Sequence, residues 1–132
     1  MTKHCMAGIT LIIVLILASW ALAQPMPSGK WWKDPGIAKA LDLTSRDVQQ
    51  LDNLFVQSRR RMIELKNQVE KEQFEYQTLI ESQNLDEKAV NRQLRKLEKA
   101  RSDLNEERSR FVLGVRKILG HNRFQRLQQI YR

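Results

Sequence analysis

The sequence predicts an all-α fold, a long antiparallel helical hairpin with short flanking helices, and three observations lead there. Apolar residues recur at alternating three- and four-residue steps from Val48 to Leu79 and again from Val90 to Ile118, the spacing of helices packed along one seam. No proline or glycine interrupts Thr44 to Leu85. No segment alternates apolar and polar residues with period two over a useful length, as a half-buried strand would.

The N-terminal residues read as an export signal. Lys3 carries a positive charge, an uncharged apolar stretch is densest from Ile9 to Leu17, and Ala21-Leu22-Ala23 is a small-residue site. These are the three regions of a cleavable signal peptide over residues 1–23, with Ala21 and Ala23 preceding a mature start at Gln24. The alternative is an inner-membrane anchor through residues 5–23, since 19 uncharged residues approach the ~20 needed to cross a bilayer. Cleavage would remove Cys5, the only cysteine, and leave 22 Lys+Arg against 15 Asp+Glu, a net charge of +7. A disulfide-free exported chain of this size suits the periplasm of a bacterial envelope, in one small domain.

Residues 24–33 form a flexible linker with Pro25, Pro27 and Gly29, ending in Trp31-Trp32. This pair could pack onto the hairpin, plug a dimer or contact a membrane. The helical domain is predicted over residues 34–132. Asp34-Pro35 has the form of an N-cap followed by proline in the first helical position, and Ile37 to Leu41 is predicted as a short helix. Thr44 and Asp47 make a capping-box variant. From there Val48, Leu51, Phe55, Ser58, Met62, Leu65, Val69, Glu72, Tyr76 and Leu79 mark the seam of a helix over Ser45 to Glu81, roughly 55 Å long.

Ser82-Gln83-Asn84-Leu85 breaks that pattern and Asp86 can cap the return helix. Its predicted seam is Val90, Leu94, Leu97, Arg101, Leu104, Arg108, Phe111, Val115 and Ile118. A short connection between long helices implies antiparallel packing. Gly120 is placed to end the helix, and Phe124, Leu127, Ile130 and Tyr131 give the last turns an apolar side. Two helices bury one seam, which offsets little conformational entropy. Leu54, Ile63, Phe74, Leu113 and Leu119 fall off the seam and need cover. The short flanking helices can cover some of them, and a second subunit the rest, so a homodimer is expected.

The sequence offers no catalytic constellation, and no enzyme and no cofactor are predicted. His121 is the only histidine after the signal, no serine lies in a nucleophile motif, and the glycines are too scattered for a phosphate loop. Carboxylates such as Glu64, Glu70 and Glu75 interleave with Lys and Arg as on a solvated helix face. Transition-metal sites want several His, Cys or Met ligands, or His with carboxylates; no metal site is predicted. Basic charge argues about partners rather than fold. Export argues against nucleic acid, which leaves acidic envelope surfaces, anionic lipid and unfolded or partly folded envelope proteins. The candidate client-binding residues are Arg59, Arg60, Arg61, Arg101 and Arg108, with Phe55, Met62 and Phe111 beside them on the seam, where those three also read as core. Arg101 and Arg108 either lay their stems along the seam or mark a part of the hairpin that opens into a basic concave surface.

Leu43-Thr44 followed by a capped long helix resembles the first copy of the Leu-Thr-x-x-Gln motif of the Spy/CpxP family of periplasmic proteins, which includes heavy-metal-sensor members. Gly29-Lys30-Trp31-Trp32-Lys33, with Pro35 and Ile37, is similar to the segment preceding that motif in sensor-type members. The layout agrees over essentially the whole mature chain. Asp47 stands where the first motif has Gln. In the second copy only Leu119 fits, with Gly120 in place of Thr and Arg123 in place of Gln. The resemblance implies a cradle-shaped, all-helical dimer whose basic, partly apolar face holds unfolded proteins without ATP. It equally allows a periplasmic heavy-metal or envelope-stress sensor module that docks on a membrane signalling protein, and the poverty in His, Met and Cys favours the chaperone-like expectation.

Overall fold

The computed structural model describes residues 27–132; the expected signal peptide, its cleavage site at Ala21, Ala23 and Gln24, and the first residues of the linker lie outside the described residues. A 3-10 turn, Trp31–Lys33, leads into α1 (Pro35–Ala40), α2 (Ser45–Ile80) and α3 (Glu87–Ile130). The described residues are 84% helical and contain no strand, so the fold is all-α.

Each helix starts as its sequence dictates. Asp34 Oδ1 accepts from the Gly36 and Ile37 amides at 2.8 and 3.1 Å, with Pro35 in the first turn. At the start of α2 the Thr44 hydroxyl accepts from the Asp47 amide at 3.1 Å, and Asp47 Oδ2 accepts from the Thr44 amide at 2.9 Å. The capping box thus closes with Asp as its acid. Asp86 caps α3 by accepting from the Ala89 amide at 3.0 Å.

α2 and α3 pack against each other as a long hairpin. Along α2 the expected seam is observed: Leu51, Ser58 and Glu72 are buried, and Val48, Phe55, Met62, Leu65, Val69, Tyr76 and Leu79 half-buried. Along α3 the buried line differs by one residue at three places. Gln93, Ala100 and Glu107 face inward, whereas Leu94, Arg101 and Arg108 are exposed. The polar members of this line bring their own compensation. Gln93 Nε2 donates to the Glu72 carbonyl at 3.0 Å and to its carboxylate, and Glu107 meets Arg61 and Arg110 at 3.5 and 3.3 Å.

The apolar core is concentrated at the open end of the hairpin. Trp31, Trp32, Leu41, Leu51, Val115, Leu119 and Leu127 form one buried cluster. Residues 31–33, assigned to a linker by composition, are therefore held down: both indoles are buried and meet edge-to-face with centroids 5.2 Å apart. Trp32 Nε1 donates to Asp52 Oδ1 at 2.9 Å, and Lys33 Nζ to Asp52 Oδ2 at 2.7 Å. These two donors, Lys33 first, hold the Asp52 carboxyl below the usual carboxylate range.

Gly120 breaks α3 with φ +76° and ψ 175°, a region essentially restricted to glycine. The break folds the last turns back onto the core through Leu127 and Phe124. Of the five off-seam apolar residues, Leu119 is buried and Leu54 half-buried against Gly114, where a Cβ would stand 2.7 Å from a Leu54 methyl. Ile63, Phe74 and Leu113 stay exposed, at 49%, 69% and 56%.

Candidate functional site

One groove stands out, at the open end of the hairpin beside the core. Helical spacing sets its first wall: Phe55, Arg59 and Met62 are four and three residues apart on α2, so they share a face. Arg108, Phe111 and Val112 do the same on α3. Past the break at Gly120, Phe124, Leu127 and Tyr131 supply a further wall, and Pro27, Ser28 and Gly29 border it. The groove encloses about 770 Å³. Its floor is aromatic: the Phe55 and Phe111 rings meet at 70° with centroids 6.5 Å apart, and Phe55 leans on Trp32 at 5.6 Å. Lys30 Nζ stands 5.5 Å from the Phe55 ring centre, within cation–π range.

The charge pattern is one-sided. Among the described residues no acidic side chain lines the groove, although the chain holds 15 acids. The neighbouring arginines are engaged: Arg61 and Arg110 with Glu107, Arg101 with Glu98, Arg126 with Asp42. Among the described residues Arg108 reaches no carboxylate and only Asn105 Oδ1, at 3.4 Å. Arg59 has no side-chain hydrogen bond or ion pair among the described residues, and it is exposed. Two guanidinium groups with donors to spare therefore border an apolar surface.

Five of the eight residues that the sequence singled out, Phe55, Arg59, Met62, Arg108 and Phe111, come together here. The other three do not. Arg60 is exposed on another face of α2, and Arg61 is tied to Glu107. Arg101 bridges the helices by donating to Gln73 Oε1 at 2.8 Å and lines a separate polar hollow with Glu98 and Glu106. The sequence reading missed Val112, Phe124, Leu127 and Tyr131 as groove residues. The periodicity of the last three after Gly120 was legible as an apolar side, but the direction the chain takes after the break was not.

The two family-motif positions also meet. Arg123 Nη1 donates to Asp47 Oδ2 at 2.8 Å, and its Nε and Nη2 donate to the carbonyls of Leu119 and Ile118 at 2.8 and 3.1 Å. Those carbonyls are the ones that the break at Gly120 deprives of helical donors. The Arg123 guanidinium lowers the Asp47 carboxyl from 3.8 to about 2. The contact anchors the turns that carry Phe124 and Leu127.

Among the described residues no three His, Cys, Asp or Glu side chains come close enough to hold a metal ion. His121 is exposed beside the break. No helix among the described residues is long and apolar enough to cross a membrane. Searches of curated proteins and of solved structures found no match to the chain. A family model described as heavy-metal resistance matches residues 7–126. With nearly the whole chain matched and the helical hairpin in place, the chain belongs to the heavy-metal resistance family, within the Spy/CpxP-like helical group.

Proposed function

We propose that this protein is an ATP-independent, non-enzymatic holding chaperone of the periplasm, which takes exposed apolar segments of unfolding envelope proteins into the groove at the open end of its hairpin. One observation carries the reading: an aromatic and aliphatic groove free of acids, bordered by Arg59 and Arg108, whose guanidinium groups have no carboxylate partner. The basic surface draws acidic or partly unfolded chains by long-range attraction. Phe55, Met62 and Phe111 then offer apolar and aromatic contact, the kind of surface that anchors binding. The family supports an envelope protein of the heavy-metal-resistance type, and the apolar stretch densest from Ile9 to Leu17 supports export by a signal peptide.

The family's description does not bring a metal with it. The donor groups that one chain brings together among the described residues do not fit a transition-metal site. A homodimer is part of the proposal: Ile63, Phe74 and Leu113 are exposed apolar residues that a second copy would cover. Light scattering on the purified protein tests this, and a folded helical monomer at micromolar concentration overturns it.

The holding activity is tested by adding the protein to a client that aggregates on unfolding. Substoichiometric to equimolar amounts are expected to slow the turbidity rise, without ATP. The pair Arg59→Ala with Arg108→Ala should lose most of this protection while keeping its helical circular dichroism. Unchanged aggregation at low salt with the wild-type protein refutes the reading.

A further inference from the structure

The groove has the chemistry of a site for a small amphiphile as well as for a protein segment. Its volume of about 770 Å³ lies within the ~300–1,000 Å³ of small-ligand pockets, which are mostly apolar with a few convergent polar groups. Here those groups are of one sign. Arg59 projects from α2 and Arg108 from α3, and among the described residues no acid lines the groove to neutralise them. A planar guanidinium matches a carboxylate through two parallel hydrogen bonds, and neither arginine spends its donors on a carboxylate of the chain. Phe124 and Tyr131, from the turns after Gly120, add to the apolar lining, on which an alkyl tail can lie.

We infer that this groove binds a single-chain anionic amphiphile of the fatty-carboxylate type, with its head group at Arg59 and Arg108 and its tail along Phe111, Phe124 and Tyr131. A cationic amphiphile meets two uncompensated like charges at the rim. The inference shares the groove with the holding-chaperone reading but does not depend on client capture.

The test is calorimetric titration of the protein, purified as cells produce it, with dodecanoate below its micelle-forming concentration. Decanoate and dodecyltrimethylammonium serve as comparators. Saturable binding of one dodecanoate per chain is expected, with decanoate roughly 16-fold weaker, about fourfold for each buried methylene. The cationic tail should bind at least tenfold more weakly than dodecanoate. The double variant Arg59→Ala/Arg108→Ala should lose tenfold or more in dodecanoate affinity with its thermal midpoint unchanged, because both side chains are exposed. Equal binding of anionic and cationic tails overturns the proposal, as does an unaffected double variant or the absence of saturable dodecanoate binding. If the groove is instead filled by a second copy, the double variant shifts the light-scattering mass and dodecanoate fails to saturate, which also overturns it. Dodecanoate binding without suppression of aggregation leaves this proposal standing and removes the client reading; suppression without dodecanoate binding does the reverse.

Discussion

Asp47 and Arg123 lie 76 residues apart in the chain and meet through an ion pair of 2.8 Å. They occupy the two positions where the Spy/CpxP resemblance places glutamines, so both departures from the motif fall on one contact. The carboxylate also closes the capping box of α2, and the guanidinium caps the carbonyls left free at the break in α3. One contact therefore fixes both ends of the open side of the hairpin and, with them, the walls of the groove.

Removing either partner is predicted to be more harmful than replacing both. Arg123→Ala strands a mostly buried carboxylate and uncaps two carbonyls, so a loss of about 2 kcal/mol is expected. The double change Asp47→Gln with Arg123→Gln restores a neutral hydrogen-bonding pair and should recover part of that loss. Thermal unfolding of the singles and the double in a mutant cycle measures the coupling, expected at about 1 kcal/mol or more.

The same contact sets an acid limit. Asp47 titrates at about 2 in the folded protein against an ordinary 3.8, so the folded state binds fewer protons than the unfolded chain between those values. Its contribution is fully present above about pH 4 and is lost as pH falls toward 2, at most about 2 kcal/mol. Denaturant titrations at pH 5 and pH 2.5 should show a smaller difference for Arg123→Ala than for the wild type. An equal difference in both proteins excludes this pair as the source.

Gly120→Ala is predicted to destabilise by about 1–3 kcal/mol, because its backbone conformation is open to glycine and strained for any side chain. Space is not the obstacle: a Cβ there meets nothing within 4 Å. The variant should tend to straighten α3 and pull Phe124 and Leu127 away from the core, which Trp fluorescence at Trp31 and Trp32 would register as greater exposure. An unchanged emission maximum and midpoint would contradict the role given to the break.

Why the sequence disclosed some of this and not the rest follows from particular residues. Caps are local devices, so Asp34-Pro35, Thr44 with Asp47, and Asp86 announced the helix starts, and Gly120 announced the break in α3. The seam of α2 was legible because Ser58 and Glu72, the polar members, keep the three-four rhythm of their apolar neighbours. On α3 the same rhythm can be threaded through Leu94, Arg101 and Arg108 or, one residue earlier, through Gln93, Ala100 and Glu107. Hydrophobicity favours the first path at Leu94 alone. The second wins because Glu72 and Arg61 on the facing helix satisfy Gln93 and Glu107, information that no window along α3 contains. The groove was half legible for a related reason: Phe55, Arg59 and Met62 share a helix face, whereas the place of Phe124 in the same groove depends on the turn at Gly120.

The buried Gln93 and Glu72 offer a test of that account. Gln93→Leu alone removes the donor to the Glu72 carbonyl and carboxylate and should destabilise by about 1–3 kcal/mol. Changing both to Leu replaces a polar pair by apolar contact and should be neutral or stabilising. Denaturant unfolding of the three variants decides it. A double variant worse than Gln93→Leu would mean that the pair contributes more than its own satisfaction.

Charge and apolar contact at the groove should separate kinetically. Rim charges act at a distance and chiefly set association rates, whereas packed apolar groups set dissociation. Arg59→Ala with Arg108→Ala is expected to slow association with an unfolded, acidic client severalfold at low ionic strength. The wild-type rate should fall toward the variant's as salt shortens the screening length to about 3 Å near 1 M. Met62→Ala, which trims a half-buried apolar side chain in the groove, should leave association unchanged and speed dissociation. Stopped-flow binding at several salt concentrations checks both. If the arginine pair instead alters dissociation alone, independent of salt, the guanidinium groups make direct contacts with the client and do not steer it.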